Sequence, residues 1–282
     1  VPHMSILLSW VSYLSIASVS EPFLNFQWDA LLLEVYLISI FFVPWRVFDN
    51  KDNIESPPTI GRWLLWLLII KLMLQSGIVK FTFFDVDGSN AWRDLTALEY
   101  HFWTQPIPSW LSYYFDALPT VIDKIALIFT YVCELIIPFF ILLPKKMRRI
   151  AAISLILFQF LIILSGNYGF FNLLTITLCI SLFDDQYLRK LNFSSVVNGK
   201  PFLKNYIVFK KIKRGLSFLV LILFVYSFFI FIGRDFQGNR LSSSDLNEKV
   251  SVLEQKILGF SQTTRSINSY GLFRVMTKTR PE

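Results

Sequence analysis

The chain alternates between long apolar runs and short polar or basic breaks. Apolar runs occupy residues 5–19, 29–45, 62–81, 121–143, 147–165, 169–183 and 213–233. A helix needs roughly 20 mostly apolar residues to cross the hydrocarbon core of a bilayer. Four of the runs reach or approach that length. The runs 29–45 and 169–183 are short, so they require tilt or local thinning of the bilayer. Pro138 and Pro144 fall in and just after the fourth run, where they kink or end a helix. The pattern predicts an all-α fold: a polytopic transmembrane bundle of about seven spans over residues 1–233, followed by a polar tail over 234–282.

The tail predicts an amphipathic helix over Asp245–Phe260 and a strand over Ile267–Met276. A single strand does not fold alone. The first run begins almost at residue 1. Both ends therefore read as cut, and the tail reads as the start of an incomplete extracytoplasmic domain.

Composition agrees. Of 282 residues, 54% are hydrophobic and only 17% charged, where a soluble domain carries about 25% charged residues. The net charge of +7 does not indicate nucleic acid, because the basic residues sit in short breaks between apolar runs. Arg46, Lys51 and Arg62 bound one break. Lys145, Lys146, Arg148 and Arg149 fill another. A third, before the last run, holds Arg189, Lys190, Lys200, Lys204, Lys210, Lys211, Lys213 and Arg214. The alternate breaks 20–28, 82–120 and 166–168 carry only Arg93. This asymmetry places the basic breaks in the cytoplasm, and the 82–120 loop and the tail outside it. Cys133 and Cys179 lie within apolar runs and read as small buried residues.

Charges inside apolar runs are costly and call for partners. Glu34, Lys71 and Glu134 are the intramembrane charges, with Lys71 roughly 14 Å along its helix from Arg62. They read as a buried Lys–Glu pair or triad that holds helices together, or as a proton relay or substrate site. Gln75 shares a helix face with Lys71, and Gln159 reads as an interhelical hydrogen-bonding residue.

An outer-face polar cluster is expected from the loop 82–120 and the turn Ser165–Asn172. Its members are Lys80, Trp92, Arg93, Asp94, Glu99, His101, Gln105, Asn167, Tyr168 and Asn172. The plain reading of the loop is an interfacial helix anchored by tryptophan. The sharper reading folds it back over the helices to line an extracytoplasmic cavity, with Lys80 and His101 the catalytic candidates if the protein is an enzyme. No metal-ligand spacing, P-loop or dinucleotide motif is present, and no cofactor or metal is expected from the residues.

Several long polar-aromatic words carry a resemblance. They are Glu21-Pro22-Phe23-Leu24-Asn25-Phe26-Gln27-Trp28-Asp29 through Glu34, the segment 75–80, the segment 92–108, Gly166-Asn167-Tyr168-Gly169-Phe170-Phe171-Asn172 through Thr175, and the segment 268–276 with Arg280-Pro281-Glu282. In these the chain resembles the lipase maturation factor family. Its well-studied animal members are endoplasmic-reticulum membrane proteins that help secreted lipases reach an active, dimeric fold. The resemblance implies a membrane-embedded, chaperone-like maturation factor. Its partners would be the lipid bilayer and secreted lipase-like clients. It would sit in the endoplasmic-reticulum membrane of a eukaryote or the plasma membrane of a bacterium.

A fainter similarity, through Gly77-Ile78-Val79-Lys80, Trp92, His101-Phe102-Trp103 and Pro106, is to the membrane domain of vitamin K-dependent gamma-carboxylase. There a lysine at the position matching Lys80 takes part in vitamin K chemistry. That similarity implies the alternative, a membrane enzyme acting with a quinone-type lipid cofactor.

Overall fold

Apolar runs bounded by proline and polar breaks become helices throughout the computed structural model. It describes residues 2–20, 23–43, 45, 57–105, 107–190, 207–238, 252–271 and 273–278. The helices are α1 Pro2–Val19, α2 Gln27–Phe42, α3 Thr59–Thr82, α4 Ala97–Thr104, α5 Ser112–Asp116, α6 Thr120–Tyr131, a π-turn Val132–Ile136, α7 Ile137–Phe140, α8 Lys145–Ser165, α9 Phe171–Ile180, α10 Asp185–Lys190, α11 Ile207–Gln237 and α12 Val252–Thr264. Each of the seven apolar runs thus coincides with helical structure, and no strand occurs among the described residues. Three helices are long and apolar enough to cross a membrane: Thr59–Thr82, Lys145–Ser165 and the Lys211–Gln237 stretch of α11. α3 is buried along nearly all of its apolar stretch, whereas α8 and α11 leave most of theirs exposed. Exposed, continuous apolar helix surface is what lipid rather than water solvates. Arg46, Lys51, Lys200, Lys204, residues 245–251 and the last four residues lie outside the described residues.

The chain divides into two compact units. One contains 1–68, 183–229 and 252–268, the other 69–182, 230–251 and 269–282. In the first, α1 packs on α2. The Tyr13 hydroxyl donates to Asp29 Oδ1 at 2.6 Å, and Asp29 Oδ2 accepts the Phe26 N–H at 3.1 Å at the start of α2. Glu34, fully buried, accepts the backbone N–H of Asn268 at 3.2 Å. The Asn268 side chain in turn donates to the Ala30 carbonyl at 3.2 Å.

In the second unit α8 packs against α9, α7 and α5, and α4 packs against α5 and α6. The apolar run 121–143 does not form one helix. Pro138 has no N–H to offer the carbonyl of Glu134, and its ring crowds that carbonyl. The backbone widens instead: Ile137 N–H donates to Val132 O, five residues back. A π-turn of this kind marks sites where a side chain must leave the regular helical register. Gly77 lets α3 approach it. A Cβ there would lie 2.8 Å from Leu135 Cγ and 3.0 Å from Glu134 Cβ.

The expected strand over Ile267–Met276 is corrected. The segment has no partner strand among the described residues, because helix and loop side chains take its backbone groups. Tyr270 N–H donates to Gln75 Oε1 at 3.2 Å, Met276 N–H to Asp85 Oδ1 at 2.9 Å, and Phe273 O accepts Trp92 Nε1–H at 2.7 Å. Alternating side chains suit an extended chain, but the hydrogen bonds run to side chains and not to a ladder.

The close approach at Gly77 is testable. Gly77→Val forces branched bulk against Leu135 and the π-turn and should destabilise the protein by about 1–3 kcal/mol. Thermal unfolding in detergent reads this as a lowered midpoint. An unchanged midpoint would show that the α3–π-turn contact does not limit packing.

Candidate functional site

Lys80 lies in the last turn of α3, one turn beyond Gly77, and is 5% exposed. Its Nζ donates to both oxygens of Glu134, at 2.7 and 2.8 Å, and to the Ser76 carbonyl at 3.1 Å. All three ammonium protons are therefore engaged. The ammonium also sits 4.9 Å from the Trp92 ring centroid, a cation–π arrangement suited to a desolvated lysine. Glu134, also 5% exposed, projects from the π-turn. Burying either charge alone would cost several kcal/mol; together they balance. Asp85 and Asp87 do not take Lys80. Lys278 binds them instead, at 3.2 and 2.7 Å.

The loop after α3 is folded back over this pair. Asn90 Nδ2 donates to the carbonyls of Lys80 at 3.0 Å and Phe83 at 2.8 Å, satisfying groups that a helix end leaves open. Ala91, Trp92, Ala97, Leu127 and Met276 then form a buried apolar cluster. α4 buries Ala97, His101 and Phe102, positions that share one helix face. His101 Nε2 and Tyr168 Oη lie 2.6 Å apart; the phenol donates when Nε2 is the bare ring nitrogen. Burial, and secondarily the Lys80 charge, push the imidazole down to about 4, so His101 is neutral near pH 7. Burial also holds the Tyr168 phenol protonated. Phe273 wedges against both rings, with centroids 4.8 Å from His101 and 5.1 Å from Tyr168. It does so with φ of 55°, a left-handed conformation rare for a bulky residue, fixed by the Trp92 hydrogen bond to its carbonyl.

Gln105 ties the loop to the end of α8. Its Nε2 donates to Ser165 O at 3.0 Å and Ser112 Oγ at 3.1 Å, and Ser112 Oγ donates to Ser165 O at 2.6 Å. Gly169, at φ of 57°, makes the tight turn from α8 into α9, with its N–H on Asn167 Oδ1 at 3.2 Å.

These elements enclose a cavity of about 230 Å³ in the second unit. Lys80, Glu134, His101, Tyr168, Asp123, Gln159 and Asn172 line it among apolar side chains that include Met73, Phe102, Phe129, Phe158 and Phe171.

Of the residues read from sequence as an outer-face cluster, Lys80, Trp92, His101, Tyr168 and Asn172 converge on the cavity, and Gln105 braces the loop above it. Arg93, Asp94 and Asn167 are exposed, and Glu99 lies on α4 two residues from His101, off the buried face. The Arg93 guanidinium stacks 5.3 Å from the Phe84 ring. Among the intramembrane charges, Glu134 is the partner of Lys80. Lys71, fully buried, sits under the rings of Phe231 and Tyr270 at 5.6 and 5.4 Å. The sequence pattern gives Gln159 a hydrogen bond to a neighbouring helix; its Oε1 has no hydrogen-bond partner among the described residues. Asp123, Ser112 and Phe273 escaped the sequence reading. Asp123 left a signal there as a carboxyl at the start of an apolar run, and Phe273 lies in the 268–276 segment that carries the resemblance. Cys133 and Cys179 are buried free thiols, as their apolar context implies.

Two expectations follow. Lys80→Met and Glu134→Leu each leave an uncompensated buried charge and should destabilise by about 3–5 kcal/mol, whereas the double substitution should recover most of the loss. Unfolding midpoints of the four proteins form the cycle; additive losses would deny the pair. Separately, the unfolded chain protonates His101 near 6.5 and the folded one only near 4. Stability from this group is therefore complete above about pH 6.5 and shrinks as pH falls to 4, by up to roughly 3 kcal/mol. His101→Gln should flatten this part of the stability–pH profile; an unaltered profile would contradict the burial argument.

Comparison with known proteins gives this arrangement a family. Residues 2–190 match the lipase maturation factor transmembrane domain. Lipase maturation factor 2 of Xenopus laevis is 41% identical over 184 residues, 64% of this chain and 26% of the relative. Lipase maturation factor 2 of Homo sapiens is 37% identical over 191 residues, 64% and 26%. Lipase maturation factor 1 of Mus musculus is 33% identical over 179 residues, 64% and 30%. The chain thus spans about a quarter to a third of the length of these relatives. No solved structure matches it. With its apolar helices and a match covering most of its length, the chain is an integral membrane protein and belongs to the lipase maturation factor family.

Proposed function

We propose that this chain is the membrane-embedded part of a maturation factor that assists secreted lipases, or similar exported enzymes, to reach their folded and assembled state. One observation carries the reading: apart from Phe273, the residues that build the cavity and its polar floor all fall within the stretch matched by the lipase maturation factor transmembrane domain. The relatives' names supply the client class.

The geometry supports a scaffolding role. The Lys80 amine is held by both oxygens of a carboxylate, which removes it as a free base or nucleophile. The His101 imidazole is engaged with Tyr168 and packed edge-on against Phe273. These groups fix the returning loop in place. The same reading takes the seven apolar runs as spans, with 1–233 as the membrane domain and 234–282 as an extracytoplasmic tail. The cavity end then faces the compartment in which clients fold: the endoplasmic-reticulum lumen in a eukaryote, the periplasmic side in a bacterium.

The test uses cells lacking their own lipase maturation factor. The full-length protein containing this chain is expressed with a secreted lipase, and the secreted activity and dimer fraction are measured. Restoration is expected with the unaltered protein, and a severalfold lower yield with Trp92→Ala, which unlocks the loop. Lipase activity that is the same with and without the protein would refute the role.

A further inference from the structure

The cavity holds polar groups that the protein itself leaves without partners. Gln159 on α8 is 2% exposed and Asn172 on α9 is 3% exposed. Both line the cavity, Gln159 Oε1 is fully enclosed without a hydrogen bond, and the Asn172 side chain makes none among the described residues. Each amide has two donors and an acceptor, and leaving such groups unmet in an apolar wall costs free energy. A native site that carries two of them is built for something that supplies hydrogen bonds.

We infer that the cavity binds the head of one neutral, hydroxyl-bearing acyl lipid of the monoacylglycerol type, entering sideways from the bilayer, with Gln159 and Asn172 gripping its hydroxyls. Three observations select this class.

The first is charge. Lys80 is already matched by Glu134, and Asp123 adds a carboxyl with no cation paired to it among the described residues, so a carboxylate or phosphate head meets no free positive charge. The second is the mouth. Leu118, Ile122 and Leu161 line the cavity yet remain 39%, 43% and 39% exposed. In a membrane-embedded helix pair such apolar exposure faces hydrocarbon, so the opening is a lateral one. The third is size. About 230 Å³ equals roughly eight waters at about 30 Å³ each. That accommodates a glycerol head and the first methylenes, with the remaining chain left in the bilayer. An alcohol both donates and accepts, as an amide pair requires; a hydrocarbon does neither. The site stands independently of lipase clients, and its test uses no lipase.

The experiment takes the full-length protein in phosphatidylcholine nanodiscs. The probe is a 1-monoacylglycerol with a diazirine in its acyl chain and a terminal alkyne. Photolabelling should saturate, map to residues 115–172, and be displaced by unlabelled monoolein but not by equal amounts of oleate or hexadecane. Gln159→Leu and Asn172→Leu should each weaken displacement about fivefold, the loss of one ordinary hydrogen bond. Ala126→Leu, which fills the cavity, should abolish the saturable component.

Labelling that never saturates, or that spreads evenly over the exposed faces of α6 and α8, would overturn the site. Equal displacement by oleate would overturn the neutral head. The competition arm uses the unsubstituted protein, so it decides the matter even where a variant fails to fold.

Discussion

An ammonium and a carboxylate taken out of water together govern the second compact unit of this protein. Neither Lys80 nor Glu134 is tolerable alone in an apolar helix, since an unpaired charge in hydrocarbon costs several kcal/mol. Their pairing at 2.7 Å demands that α3 and the π-turn lie almost in contact. Gly77 permits that approach and Pro138 provides the turn. Once the pair is made, Trp92 covers the ammonium, the loop after α3 closes over it, and α4 brings His101 onto Tyr168. The cavity is the space these constraints leave.

Much of this was legible in the residues. The apolar runs gave the helices, because a backbone in hydrocarbon must satisfy its own hydrogen bonds. Glu134 was conspicuous as a charge within an apolar run, and Lys80 as a member of the outer-face cluster. Their partnership was not, since they stand 54 residues apart and meet only because a proline unwinds one turn of helix. Within the loop, Arg93, Asp94, Glu99 and His101 all read as members of one polar cluster, with His101 singled out only as a catalytic candidate. The eight-residue helix α4 separates them: it turns Ala97 and His101 inward and Glu99 away. The segment around Tyr270 reads as a strand because its side chains alternate. Its backbone instead answers to Gln75 and Asp85, long-range partners that no local pattern encodes. Gln159 looked like a residue that bonds a neighbouring helix, and only the packed arrangement shows that it faces the same void as Asn172, which the sequence already placed in the outer-face cluster.

Family membership and geometry bear on function from different directions. The relatives' names point to lipase maturation, and the proposed function rests on them. The structure supplies a loop and a cavity held in shape by the Lys80–Glu134 pair and the Gln105 hydrogen bonds. The proposed role takes this braced loop and its partly apolar cavity as the part of the chain that serves clients. A lipid-binding recess lined by α6, α8 and α9 would couple the state of the bilayer to the loop that closes over it.

The most direct measurement is an experimental structure of the full-length protein in a lipid environment at a resolution that shows side chains. It should place Lys80 Nζ within hydrogen-bond distance of both Glu134 oxygens, Trp92 over the ammonium, and Gln159 and Asn172 turned into an occupied recess. Lys80 paired instead with Asp85 or Asp87 at a solvated helix end, with the loop lifted away from α8, would contradict this arrangement and the role built on it.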